Sequence, residues 1–267
     1  MKIRSILLSL LLISSVSVNC VKAGRIEETV KKTFDANSDV EIVLRNKNGS
    51  VVVSSWDKPQ VLVIAEKVVK AHHEEKAQKI MEQVEIIFNA SPERIEIESD
   101  YPPSNRSHNS FWGLFFDEAN AQISISYQLT VPKDANLELK TTNGSITIEN
   151  TSGNINARST NGSVKLLDVH GMIRARTTNG RIQAEVLEFT REDEIYFKTT
   201  NGSIKLDLPT NIQADVRANT TNGSISTDFP LEVSGKFNRK NLRGTINGGG
   251  GRIDLTTTNG SIKINEN

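Results

Sequence analysis

The sequence predicts an all-β fold, a β-solenoid of short stacked strands turned at Asn-Gly corners, with one helical excursion. Three observations carry that expectation. A six-letter phrase recurs: TTNGSI at 141–146, STNGSV at 159–164, TTNGRI at 177–182, then TTNGSI at 199–204, 220–225 and 257–262, with NKNGSV as an earlier relative at 46–51. Gly144, Gly162 and Gly180 fall 18 residues apart with Gly153 and Gly171 midway, so the beat is nine. After each glycine, apolar residues alternate with polar ones: Ile146 and Ile148, Ile155 and Ala157, Val164 and Leu166, Ile173 and Ala175, Ile182 and Ala184.

Period two is the pattern of a strand with one buried face. A glycine every nine residues excludes ordinary helices. Asn-Gly is the strongest short turn signal, because both residues accept positive φ. The corners are therefore Asn143-Gly144, Asn161-Gly162, Asn179-Gly180, Asn201-Gly202, Asn222-Gly223 and Asn259-Gly260, each expected to carry positive φ at glycine. A meander would fold each strand pair back as a hairpin. Equal phase of like residues favours a coil instead, in which like stacks on like and one asparagine bonds to the next along the axis.

The regular repeats span 136–265. Spacing loosens to 22 residues between Gly180 and Gly202 and to 21 between Gly202 and Gly223, which reads as bulged corners at FTREDE (189–194) and LPTN (208–211). The 37 residues from Gly223 to Gly260 approximate two turns, and the glycine run 248–251 within them reads as a flexible loop in preference to a close backbone approach.

Ahead of the repeats, 38–66 and 85–100 have strand character, the latter around a Ser91-Pro92 turn, and a helix is expected over about 68–83. No linker separates the parts, so residues 24–267 read as one domain. Residues 101–120 form a loop rich in Pro, Ser and Asn that nevertheless carries Phe111, Trp112, Phe115 and Phe116. Such a loop is either a lid over one end of the core or an aromatic patch for a partner or lipid surface.

Residues 1–23 have the form of a secretory signal peptide: basic Lys2 and Arg4, an apolar run over 5–18, and small residues at Val21 and Ala23. The run is shorter than the roughly 20 residues a spanning helix needs, so the mature chain is expected to have no transmembrane segment. Cys20 is the one cysteine; Asn19 before it and Ser17 three places back fit a lipid-attachment signal poorly. Removing 1–23 takes away Lys2, Arg4 and Lys22 and no acid, leaving 29 basic against 32 acidic residues, a net charge of −3. No basic excess exists for nucleic acid. Periplasm or cell surface is the expected location, with attachment to the outer membrane through Cys20 the lesser alternative.

NKNGSVVVSSWDKPQVLV, YQLTVPKDANLELKTTNGSI and the recurring TTNGSI together resemble the putative-adhesin family of bacterial envelope proteins, over roughly 37–265. The resemblance implies a β-solenoid and an envelope setting. It implies no catalytic residue.

The residues themselves offer little chemistry. His72 and His73 are adjacent on the expected helix and do not face one another. HExxH, P-loop and GxSxG are missing, and the serine after Asn-Gly is too regular to be a nucleophile. No metal site or cofactor is expected. Phase does organise charge: four residues before the corner glycines stand Lys140, Arg158, Arg176 and Lys198, and five after them Glu149, Glu185, Asp207 and Asp228. If turns stack, a basic line and an acidic line result, about 4.8 Å from charge to charge. The basic line suits an anionic glycan or lipid headgroup; columns of solvated polar residues explain the same phase. The expected function is a non-catalytic envelope adhesion or binding module, with a scaffolding envelope protein and, last, a polysaccharide-active enzyme as alternatives. Intact-mass measurement of protein recovered from the envelope is expected to show Gly24 as the first residue. A retained N-terminus or a lipid mass on Cys20 would contradict cleavage.

Overall fold

The computed structural model describes residues 15–22, 24–101, 121–233 and 238–267. The N-terminal portion runs β1 (Ser15–Lys22), β2 (Arg25–Asp35), β3 (Glu41–Arg45), β4 (Val51–Trp56), β5 (Gln60–Lys70), α1 (Glu74–Met81), β6 (Glu85–Ala90), β7 (Arg94–Asp100) and β8 (Gln122–Pro132). The repeats follow as β9 (Asn136–Lys140), β10 (Ile146–Thr151), β11 (Ile155–Arg158), β12 (Val164–Val169), β13 (Ile173–Arg176) and β14 (Ile182–Val186). The last stretch comprises β15 (Glu194–Asn201), β16 (Ile204–Leu208), β17 (Ala214–Asn222), β18 (Ile225–Thr227), β19 (Glu232–Val233), β20 (Asn241–Ile246), β21 (Gly251–Asn259) and β22 (Ile262–Glu266). The expectation of a β fold with one helix holds at that level: among the described residues the fold is mostly β, in two mixed sheets of 11 strands each, with one helix.

Each Asn-Gly corner carries the chain from one sheet to the other, as β9 to β10, β11 to β12, β13 to β14 and β15 to β16. Within a sheet, successive repeats pair in parallel with like opposite like. Ile155 faces Leu137 and Ile173, and Ile173 faces Ile195. On the other sheet Ile146, Val164, Ile182, Ile204 and Ile262 form one row. These side chains belong to one cluster of buried residues, and each burial contributes about 1.5–3 kcal/mol. The outward residues are polar, which is why the alternation was readable.

The corners explain the letters of the repeat. The first Thr (Ser159 in one turn) is buried, and its hydroxyl donates to the glycine carbonyl of the adjacent turn: Ser159 to Gly144, Thr177 to Gly162, Thr199 to Gly180, at 2.8–2.9 Å. Each glycine N–H donates to the next asparagine's carbonyl, as Gly144 to Asn161 and Gly162 to Asn179, both 3.0 Å. Asparagine side chains continue the pattern, each Nδ2 donating to the neighbouring Oδ1 at 2.7–2.8 Å through Asn48, Asn143, Asn161, Asn179, Asn201, Asn259 and Asn222.

One expectation about the corners is corrected. Of the seven corner glycines only Gly49 has positive φ (124°); Gly162 and Gly180 do not. What excludes a side chain is space. A Cβ on Gly162 would lie 2.0 Å from the Gly144 carbonyl oxygen, and one on Gly180 would lie 2.2 Å from that of Gly162. Left-handed backbone occurs instead on the opposite side of the turn, at Asn150, Asp168 and Gly171.

The stacking order also departs from sequence order. After β18 the chain leaves the parallel ladder, and β19 and β20 add antiparallel beyond β17. β21 then enters between β15 and β17, and β22 between β16 and β18. The 37-residue interval is thus an edge excursion and an inserted final turn, where two stacked turns were expected. The glycine run is no uniform flexible loop. Gly248 and Gly249 turn with positive φ, whereas a Cβ on Gly250 or Gly251 would meet the Gln213 or Thr190 carbonyl oxygen at 2.6 or 2.4 Å.

The helix is shorter than expected. Residues 60–70 continue as β5, with Val61, Val63, Ala65, Lys67 and Val69 buried, because the strand pairs along its length with β2 and β8. α1 buries Ala77, Ile80 and Met81, one helical face. Lys67 turns inward at a strand position that favours apolar residues, bound to Glu28 at 3.0 Å and the Val84 carbonyl at 3.1 Å. β1, within the segment expected to be removed on export, pairs antiparallel with β2.

We expect Gly162→Ala to destabilise the protein by about 2 kcal/mol or more, the range of overpacking, although alanine readily adopts a negative φ. Denaturant midpoints of the variant and the wild type check this, the built Cβ meeting the Gly144 carbonyl oxygen at 2.0 Å. Wild-type stability in the Gly162 variant would contradict the close approach.

Candidate functional site

The register that stacks the core also stacks charge. Lys140 pairs with Arg158, Arg158 with Arg176 and Arg176 with Lys198 on β9, β11, β13 and β15. The structure therefore brings together the four cations that phase alone selected. It adds Arg45 on β3, whose partner on β9 is Lys140. Arg45 stands four residues before Gly49, so the same counting applied to NKNGSV finds it. Beyond Lys198 the line turns neutral, with Thr256 and Asn219 in the next two positions.

Neighbouring strands lie about 4.8 Å apart, and like charges side by side repel. None of the five cations has a carboxylate partner within 4.0 Å among the described residues, whereas Arg94, Arg174 and Arg252 on the same sheet do. Four of the five are exposed; Arg176 is half-buried, with its guanidinium 4.8 Å from the Tyr196 ring centre and its Nε buried without a hydrogen-bond partner. Stacking on Tyr196 fixes the plane of that group and leaves part of its donor set open.

The acidic line does not form. Glu149 sits opposite Leu167, and Asp207 is buried between Glu185 and Asn265, held by Lys205 and Asn265. Counting chose four acids by type and passed over Leu167 and Asn265 at the same phase. Phe111, Trp112, Phe115 and Phe116 lie outside the described residues, so neither function of the aromatic loop is decided.

Beside the opening of that loop is a buried polar group that sequence reasoning missed. Asn46 takes the place that Thr has in later corners; it donates to the Ile125 carbonyl at 2.8 Å and accepts from Ser99 and Tyr101, both at 2.9 Å. Ser99 also meets Tyr127 at 2.6 Å. Burial pushes the Tyr127 and Tyr101 hydroxyls above the usual tyrosine range, so both stay protonated and serve as neutral hydrogen-bonding groups. They close the first turn of the ladder. Nothing in that arrangement activates a nucleophile.

His170 Nε2 and Asp193 lie 3.8 Å apart, too far for a tight pair. Among the described residues no group of three His, Cys, Asp or Glu side chains could hold a metal ion. No described helix is long and apolar enough to cross a membrane.

Comparison with known families places the chain. The model of the Toastrack DUF4097 family matches residues 14–265. The chain belongs to that family. No curated protein matches it. Among solved structures it is similar to a putative cell adhesion protein from Clostridium sporogenes, at 11% identity over 96% of this chain and 100% of that one, TM-score 0.46. A putative adhesin from Bacteroides fragilis is similar at 9% identity over 88% and 96% of the two chains, TM-score 0.30. A putative lipid binding protein from Parabacteroides distasonis is similar at 11% over 88% and 96%, TM-score 0.24. Scores this low decide neither the fold nor a ligand, and the site rests on its own geometry.

Proposed function

We propose that this Toastrack DUF4097 chain is an exported, non-catalytic binding module of the bacterial envelope, and that it holds an anionic polymer along the line Arg45–Lys140–Arg158–Arg176–Lys198. The observation that carries this reading is a row of five cations in register, none within 4.0 Å of a carboxylate among the described residues, although Glu98 on β7 is the other register partner of Arg45. A row of like charges costs stability, and a polymer with repeated negative groups relieves that cost at several points together. Individually weak contacts then add through effective concentration. An acidic glycan offers such repeats, and an anionic lipid surface offers a plane of them.

We infer further that residues 24–267 form one domain and that the two sheets are opposite walls of a single β-solenoid. The corners that pass between the sheets and the one continuous buried cluster support this. Export rests on the N-terminal segment, with cleavage after Ala23 preferred to lipid attachment at Cys20. Binding without chemistry fits a site made of permanently charged side chains and lacking a neighbouring base.

Changing Arg45, Lys140, Arg158, Arg176 and Lys198 together to Gln is expected to weaken binding to acidic glycans or anionic vesicles about tenfold or more at low salt. Circular dichroism is expected to stay unchanged, since the four exposed substitutions cost within about 0.5 kcal/mol each and loss of the stacking of half-buried Arg176 on Tyr196 about 0.5–1 kcal/mol. Raising salt should erase most of the difference. Equal binding by the variant, or no binding by the wild type, would reduce the row to a solvated face.

A further inference from the structure

A second cationic feature lies farther along the same outer face, across β17, β20 and β21. A depression of about 470 Å³ opens there, lined by Asp215, Arg217, Arg243, Thr245, Gly250 and Arg252. It lies past the neutral Thr256 and Asn219 that end the cationic row.

Arg217 and Arg243 sit directly opposite each other in the antiparallel β17–β20 register. Opposed like charges are destabilising at such positions. Neighbouring arginines on this sheet are neutralised locally: Arg252 meets Asp254 at 2.6 Å and Arg174 meets Glu194 at 3.5 Å. Arg217 and Arg243 have no carboxylate within 4.0 Å among the described residues, although Asp254 is Arg217's register partner on β21. Asp215, two pairs along, opposite Thr245 on β20 and Arg252 on β21, is the acid of the lining. With Arg252 already paired, two free cations face one free carboxylate.

Shape agrees with charge. Gly250 has no side chain to fill the floor, and it admits the Gln213 carbonyl and the Arg191 stem closely. Thr245 adds a hydroxyl that can donate. Two guanidinium forks and a hydroxyl in the lining match a dianionic group with several oxygens better than a single carboxylate, and about 470 Å³ leaves room for the rest of the molecule that carries it.

We propose that this depression binds one phosphate monoester group, carried either by a soluble sugar phosphate or by a lipid headgroup. Phosphate places close to two negative charges between Arg217 and Arg243 and removes their repulsion. The site is separate from the polyanion row, because none of its lining residues belongs to that row.

The test is calorimetric titration of the purified protein with inorganic phosphate, glycerol phosphate and a hexose phosphate, with acetate as the carboxylate control, and co-sedimentation with vesicles containing phosphatidic acid. Phosphate is expected to bind more tightly than acetate, and R217Q or R243Q to weaken it about tenfold or more. Without phosphate, each single variant is expected to unfold at higher denaturant than wild type, because one of two opposed charges is gone; no such gain in either variant would remove the repulsion the proposal starts from. The five-fold Gln variant of the row should keep phosphate binding, so loss of polymer binding and loss of this site are separable. Preference for the soluble esters identifies the sugar phosphate as source, and preference for vesicles the lipid headgroup. No phosphate binding by wild type, equal binding by R217Q and R243Q, or acetate bound as tightly as phosphate would overturn the proposal.

Discussion

The structure depends on one contact: the close approach of a corner glycine to the glycine carbonyl of the adjacent turn. At Gly162 the built Cβ would come within 2.0 Å of that oxygen, so the position admits only hydrogen. Around the contact three polar groups of the corner are paired with the neighbouring turn. The carbonyl accepts from a buried Thr or Ser hydroxyl, the glycine N–H donates to an asparagine carbonyl, and the asparagine amide donates to the next amide. A turn at a surface can leave such groups to water. Here each is satisfied by the neighbouring turn, and the cost of an unmade bond locks the register.

Register is what converts a repeat into a surface. A strand slipped by one residue would turn its apolar set outward. The corner contacts and the row of buried isoleucines both oppose that slip, so the outward residues fall into straight columns. One column is basic over five strands, and a neighbouring one is mixed, with Glu138, Asn156, Arg174 and Tyr196. The final turn enters between two earlier ones and brings Thr256 to the end of the basic column. Insertion of β21 and β22 at this place ties the last residues of the chain into the middle of the ladder, while β19 and β20 take the edge.

Periodicity made much of this legible, and the failures have physical causes. The alternation of Ile, Val and Leu located the strands, and phase located Lys140, Arg158, Arg176 and Lys198 before any contact was visible. Phase cannot tell a charge from its neighbours in space, so the acidic line was overdrawn through Leu167 and Asn265. Asn-Gly signals a turn without saying why glycine is needed, and crowding produced the same letters as positive φ. The helix begins later than expected because residues 68–70 stay in β5, paired with both β2 and β8, an interaction distant in sequence. Arg217 and Arg243 gave no sequence signal as a pair, since their apposition comes from an antiparallel excursion that breaks the repeat.

Hydrogen exchange at the corner amides tests the locked register most directly. If each glycine N–H is held by the next turn, Gly144, Gly162 and Gly180 should exchange as slowly as Ile155 and Ile173 in the flanking strands, although the adjoining asparagines are exposed. The amide of Gly248, in an exposed turn, should exchange fast and serves as the internal reference. Corner amides that exchange as fast as Gly248 would show the turns to be solvated bends, and the column of cations would lose the constraint that aligns it.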